Sequence, residues 1–316
     1  MNNSLSTRDR DCVFSREDWQ KCADFGLQGL ASPLKYGGQN DEVDILSATL
    51  AMEGLGYGCR DNGMPFSLNA QMWTVQLPIA QFGSEFQKNK FLKPLSSGKW
   101  IGCHGLTEIN AGSDVFNMET IAEKVDGGYI LNGSKRLITL GPIADIALVF
   151  AKTNPKLGKW GVSGFIVEKG TKGFSVSENK PKMGLRTVPI GDLVFEDCFV
   201  PDENRLGKEG AGWSITISSL EYDRCNILAS QLGAMEYQLE STIKFVKNRK
   251  QFGKSIGDFQ SVSNRIANMK LRVETSRLLL YNVAWLKSQG KSAMMEAALL
   301  KLHLSESFVQ SSMDAI

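Results

Sequence analysis

The hydrophobic period of this chain changes twice, and that change limits the architectures open to it. From residue 15 to about 92 apolar side chains recur at helical spacing. Between residues 100 and about 201 they collect instead in short β-rich runs, YILNG, RLIT, DIALVFAKT, VSGFIVEK and DLVFED, separated by glycine turns. After PDENRLGKEGAGW the helical spacing returns over about 211–249, then over 259–289 and 292–316, with no proline in any of the three. Helices of that length need a bundle partner to bury their apolar stripes. The order predicts an α+β protein with an N-terminal helical domain over 1–99, a middle antiparallel β domain over 100–207 and a C-terminal helical bundle over 208–316.

Local signals refine this outline. Ser15 and Asp41 are expected helix N-caps, Ser84 with Gln87 spells a capping box, and Gly26, Gly54 and Gly83 stand where helices would stop. Asp126-Gly127 and Asn132-Gly133 are hairpin signals, so TIAEKVDGGYILNGSKRLI reads as three successive antiparallel strands of a barrel or sandwich. GLGYG, residues 54–58, lacks the full spacing of a dinucleotide loop and has no strand before it, so it reads as a helix end. Asn132-Gly133-Ser134 spells a glycosylation site, but a turn explains it better in a chain with no secretion signal.

Composition removes several function classes. The net charge of +2 comes from 36 basic and 34 acidic residues without a block of one sign, so no nucleic-acid partner is implied. The first residues contain no apolar signal region, and nowhere do eighteen apolar residues run together, so the expected location is cytoplasmic with no membrane span. Six cysteines without a CxxC pair suit reduced thiols, and two histidines cannot build a His-rich metal cluster.

One stretch stands out chemically. GLTEINAGSD, residues 105–114, places two hydroxyls, two carboxylates and several small residues directly after the apolar WIGCH. With LNGSKRLIT, KMGLR, LVFEDCFVP, NRKQFGKSIGDFQ and RIANM following in order, it resembles the signature of the acyl-CoA dehydrogenase flavoproteins across nearly the whole chain. That resemblance implies a non-covalent FAD between the β domain and the C-terminal helices, in a homotetramer. It places Leu106, Thr107, Gly112 and Ser113 at the cofactor, Thr107 on the flavin's pyrimidine edge and Ser113 at the pyrophosphate. Gly112 lets the backbone approach closely. Ile138 and Thr139 match the positions beside flavin N5. NRKQFG reaches a neighbouring subunit's FAD in the family, so Arg249 would contact the pyrophosphate and Gln260 the adenosine end, with Phe252 between them. The bland reading of NRKQFG is a helix end, with Arg249 and Lys250 as a favourable charge pair and Phe252-Gly253 as the stop.

The chemistry of the family needs a carboxylate to remove the Cα proton of a thioester while the flavin takes hydride from Cβ. Most members carry that glutamate in a segment that follows SSMDAI, and this chain reads as a fragment lacking it. A minority branch, including isovaleryl-CoA dehydrogenase, puts the base immediately before an arginine on an earlier helix. Asp223, followed by Arg224, occupies that position, and Glu221 is the second candidate. Two residues apart, the carboxylates lie about 200° round a helix and cannot share one role. The competing reading of both is a solvated or salt-bridged helix surface. His104, Ile109-Asn110, Leu137 and Leu140 depart from the family pattern and bear on the substrate; His104 either lines the site's mouth or is a satisfied structural residue. The acyl group can be carried by coenzyme A or by a carrier protein, and DNGMPFSLNAQMW with LEYDR points toward the branch acting in natural-product pathways, with a prolyl or other aminoacyl thioester. An electron-transfer flavoprotein or oxygen would reoxidise the flavin. The alternatives are a monooxygenase or oxidase of the same fold, and a non-catalytic scaffold.

Overall fold

A computed structural model describes residues 1–316. Contacts divide them into two compact units, which cut across the three sequence segments. One unit gathers Met1–Asn2, Asp44–Phe66 and Arg224–Ile316, and the other Asn3–Val43 and Ser67–Asp223.

The second unit holds one eight-stranded sheet: β1 (Gly102–Gly105), β2 (Ile121–Val125), β3 (Gly128–Thr139), β4 (Ile146–Lys152), β5 (Val162–Glu168), β6 (Phe174–Val176), β7 (Ile190–Pro201) and β8 (Arg205–Leu206). The order is β6-β7-β3-β2-β4-β5-β8, with β1 added beside β4. The expected antiparallel domain is therefore mixed, because β4 pairs in parallel with both β1 and β2. Residues of β4 are buried from Ile146 to Ala151, the near-continuous apolar run that such a central strand requires. Tyr129 of β3 meets Phe165 of β5 with ring centroids 5.0 Å apart, so the sheet folds over onto itself.

Asp126-Gly127 does turn β2 into β3, but Asn132-Gly133 does not make a second hairpin. β3 runs through it as a bulge. The Asn132 amide donates to Asp197 at 3.1 Å and its oxygen accepts the Asp197 N–H at 2.8 Å, while Gly133, at φ 142°, lies where a Cβ would strike Thr120 at 2.7 Å. Tertiary partners thus overrode a sequence that spells a turn.

Helical segments pack on this sheet unit from Arg16–Asp24 and from the run that begins inside Gly63–Gln71. Ser15 caps the first through the Asp18 N–H, and the Ser84/Gln87 box closes in both directions. Asp41 is not a cap; Asp44 takes that role, accepting from the N–H groups of Leu46 and Ser47.

The first unit is helical: Ile45–Gly58, the larger part of Gly212–Asn248, Gln260–Ser288 and Met294–Ala315. Gly54 does not stop the 45–58 helix, which continues to Gly58. GLGYG does lie at the helix end, and within it Gly56 serves a helix crossing. A Cβ on Gly56 would sit 1.8 Å from the Ser230 carbonyl oxygen, and one on Gly233 would sit 2.0 Å from that of Glu53. Within this contact Glu53 is buried and accepts from Arg277 at 3.1 Å and Tyr281 at 2.7 Å, so the charge it carries inward is paired. No helix is long and apolar enough to cross a membrane.

Candidate functional site

The 105–114 loop leaves β1 and is held from beneath by an ion pair. Glu108 and Lys135, both almost wholly buried, meet at 2.6 Å. The same carboxylate accepts from the backbone N–H groups of Glu119 and Thr120 and from the Thr120 hydroxyl. Lys135 also donates to the Leu106 carbonyl at 3.3 Å, and the Arg136 N–H donates to that of Thr107 at 2.8 Å. The Glu108 carboxylate and the Lys135 ammonium are thereby both engaged, as a buried charge pair requires. Burial lowers the Lys135 pKa to about 8, with Glu108 opposing the shift. Burial pushes Glu108 upward, but the Lys135 ammonium and the Thr120 and Glu119 hydrogen bonds outweigh it and hold the carboxyl below its ordinary value.

The outer side of this braced loop is open. Gly112, Ser113 and Asp114 are exposed, and Thr107 is half-buried. The hydroxyls of Thr107 and Ser113 make no hydrogen bond within the chain, and a Cβ on Gly112 would meet nothing within 4 Å. Polar groups on a rigid turn with empty space before them suit a ligand rich in acceptors, as a flavin nucleotide is.

β3 brings Ile138 and Thr139 to the same edge. A second bulge falls between Lys135 and Ile138, where Leu137 has φ 57°, and Leu140, just past the strand end, has φ 64°. Such conformations cost a non-glycine residue about 1–3 kcal/mol and persist where neighbours fix them. The Leu137 N–H donates to Asp192 at 3.0 Å and the Leu140 N–H to the Pro189 carbonyl at 2.8 Å. Leu106, Thr107, Gly112, Ser113, Ile138 and Thr139 thus belong to one unit, around one loop and one strand end.

Glu221, Asp223 and Arg224 share a turn of the 212–248 helix. Glu221 is buried and Asp223 and Arg224 half-buried, so neither carboxylate is a fully solvated group of the competing reading. Arg249 follows the end of that helix, and Phe252-Gly253 forms the two-residue turn of a small ribbon, Lys250–Gln251 with Lys254–Ser255, rather than the helix stop. Both turn residues have positive φ, 51° and 79°, as a tight primed turn demands. The Ile256 N–H returns to the Arg249 carbonyl at 2.9 Å, and Phe252 meets Phe259 edge-on at 6.2 Å, so Arg249, Phe252 and Gln260 are gathered at one exposed corner of the first unit.

Lys135 carried no assigned role in the sequence reading. Its signal was parity: along β3 it stands on the inward side with Tyr129 and Leu131, where a lysine needs a buried anion. His104 is held 5.3 Å from Phe150, and its Nε2 is buried without a partner. Burial, with Lys135 adding to it, lowers its pKa to about 4. The unfolded chain binds this proton near pH 6.5, so the stability His104 contributes is fully present above that pH and is lost as pH falls toward 4. The loss is on the order of 3 kcal/mol. Urea unfolding at pH 7.5 and 4.5 should show it, and His104→Phe should flatten that part of the profile.

The family description "acyl-CoA dehydrogenase, N-terminal domain" matches residues 2–99, the middle domain 103–198 and the C-terminal domain 210–316. An L-prolyl-[peptidyl-carrier protein] dehydrogenase of Serratia sp. (strain ATCC 39006) is 43% identical over 316 residues, covering 100% of this chain and 81% of the relative. The short-chain-specific acyl-CoA dehydrogenase of Megasphaera elsdenii is 40% identical over 315 residues, covering 99% and 82%. Among solved structures, the prolyl acyl carrier protein oxidase AnaB matches with TM-score 0.97 and 45% identity, over 99% of this chain and 82% of that one. PigA with FAD and proline matches with TM-score 0.97 and 43% identity, over 100% and 82%.

Proposed function

The chain belongs to the acyl-CoA dehydrogenase family, and from that premise we propose that it is an FAD-dependent dehydrogenase of an acyl or aminoacyl group carried as a pantetheine thioester, a prolyl group first among them. The observation that carries this reading is the loop braced by Glu108 and Lys135, whose outward hydroxyls and open Gly112 fit the cofactor that PigA holds. FAD, when bound, supplies the two-electron acceptor for the hydride leaving Cβ.

The remaining work belongs to the chain. Thr107, with the backbone at Leu106, orients the pyrimidine edge. Ser113 and Gly112 would admit the pyrophosphate, and Ile138 and Thr139 would stand beside the flavin. Arg249, Phe252 and Gln260, exposed on their own unit, serve the cofactor of a neighbouring copy. Asp223 accepts the Cα proton, with Arg224 beside it and Glu221 as the second carboxylate of the helix.

A homotetramer belongs to the same proposal, and the 294–315 helix offers a face on which further packing can occur. One row, Ala293, Ala297, Leu300, Leu304, Ser307 and Ser311, is buried, while a second row, Met295, Leu299, Leu302, Val309 and Met313, is at least half exposed. Both rows step by three, four or seven residues, so the second row is an apolar helix face open to a further packing partner.

The test is spectroscopic. The purified complete protein should be yellow, and anaerobic addition of a prolyl-pantetheine thioester should bleach the band near roughly 450 nm, where bound oxidised flavin absorbs. Reoxidation of the bleached sample by air, or only by an electron-transfer flavoprotein, distinguishes the two acceptors. A protein that takes up no FAD under any condition would end this reading.

A further inference from the structure

Pro155–Gly161 forms a short closed loop between β4 and β5. Its ends are tied together: the N–H groups of Thr153 and Asn154 donate to the Gly161 carbonyl at 2.8 and 3.1 Å, and the Asn154 side chain accepts the Lys156 N–H at 3.2 Å. Gly158 turns the tip with φ 55° and ψ −129°, a conformation open in practice only to glycine. The loop packs against Val115–Asn117, the turn that directly follows the 105–114 loop.

This rigid loop displays an uncommon surface. Leu157 and Trp160 are 56% and 53% exposed. Trp160 lies 4.9 Å from Trp213, and Lys159 Nζ stands 4.4 Å from the Trp213 ring and 5.1 Å from that of Trp160. Lys156, Lys159 and, on the adjoining 207–213 segment, Lys208 are exposed and form no ion pair. Nearby Glu209 is already engaged by the Tyr129 hydroxyl at 2.8 Å and by Arg205 at 3.7 Å. A solvated lysine loop needs neither tryptophan nor a fixed backbone, whereas aromatic anchors on a preorganised loop ringed by unpaired cations have the composition of a protein-binding hot spot.

We infer that the Leu157–Trp160–Trp213 surface, with Lys156, Lys159 and Lys208, docks the acidic carrier protein that delivers the thioester. The inference rests on the thioester-dehydrogenase reading above and adds to it the identity of the carrier. Charge complementarity selects this partner: three free cations attract and orient an acidic domain, and the aromatic pair supplies the buried centre. The place fits as well, since a pantetheine arm entering beside Val115–Asn117 starts next to the cofactor loop.

The experiment compares wild type, Lys159→Glu, Trp160→Ala and Lys156→Glu as complete flavin-loaded proteins. Titration calorimetry with an isolated carrier protein bearing prolyl-phosphopantetheine measures docking, and stopped-flow flavin reduction is followed with that substrate and with free prolyl-pantetheine. Each variant should weaken carrier binding by roughly tenfold or more. The apparent KM for the carrier-bound substrate should rise in step, while reduction by prolyl-pantetheine changes by less than about twofold. Added salt should weaken wild-type docking more than that of Lys159→Glu. Unchanged carrier binding in all three variants overturns the inference. So does a selective loss of reduction by prolyl-coenzyme A, which would make the patch a nucleotide site. If no thioester reduces the wild-type flavin, the functional reading fails, and the calorimetry still decides whether the patch binds a carrier protein.

Discussion

Asp223→Asn should keep the yellow colour of the protein and lose roughly 10²–10⁴ in the rate of anaerobic flavin reduction by its thioester, the usual contribution of a positioned general base. The substitution preserves shape, replaces one acceptor oxygen by an amide donor, and removes the charge and the ability to take up a proton. Asp223 is half-buried on the 212–248 helix, so thermal melting of the variant accompanies the kinetics. Glu221→Gln, on the buried side of the same helix, is the control: it should lower thermal stability more than the reduction rate. Reduction kinetics unchanged in Asp223→Asn and abolished in Glu221→Gln would exchange the two roles.

The second large effect concerns the brace under the cofactor loop. Lys135→Met leaves the Glu108 carboxylate buried beside Thr120 and the Glu119 N–H with no countercharge. Breaking such a pair on one side costs about 3–5 kcal/mol, and thermal melting should register it together with release of FAD. The double variant Lys135→Met/Glu108→Gln should recover a large part of the loss, because no charge is then stranded. The pH dependence has a definite sign. Since the folded Glu108 carboxyl lies below its ordinary value, its stabilising contribution is present above about pH 4.5 and is lost as pH falls through the folded value. In Lys135→Met that acid limb should move upward, and His104, freed from the nearby ammonium, should titrate closer to neutrality.

How far the sequence could be read depended on the range of the forces involved. The Ser84/Gln87 capping box and the Ser15 cap are complete within four residues, and they form as spelled. Asn132-Gly133 carries an equally clear local message and yields to Asp197 and Thr120, which are distant in sequence and adjacent across the sheet. GLGYG does close the 45–58 helix, at Gly58, but the reason for Gly56, the close passage of another backbone, is invisible until both helices are placed. The 105–114 loop was legible as a motif, but its mechanical support was not, because Glu108 and Lys135 stand 27 residues apart and meet only where the loop lies against β3. The Lys159–Trp160 surface was overlooked because no pattern within seven loop residues announces what they present.

The crossing at Gly56 and Gly233 limits what this protein can do by way of motion. Where backbone lies directly upon backbone there is no intervening side chain to change rotamer, so the 45–58 helix has no cushion against its neighbour. A push on that helix is passed on as displacement rather than absorbed as repacking, and this part of the molecule behaves as a stiff beam.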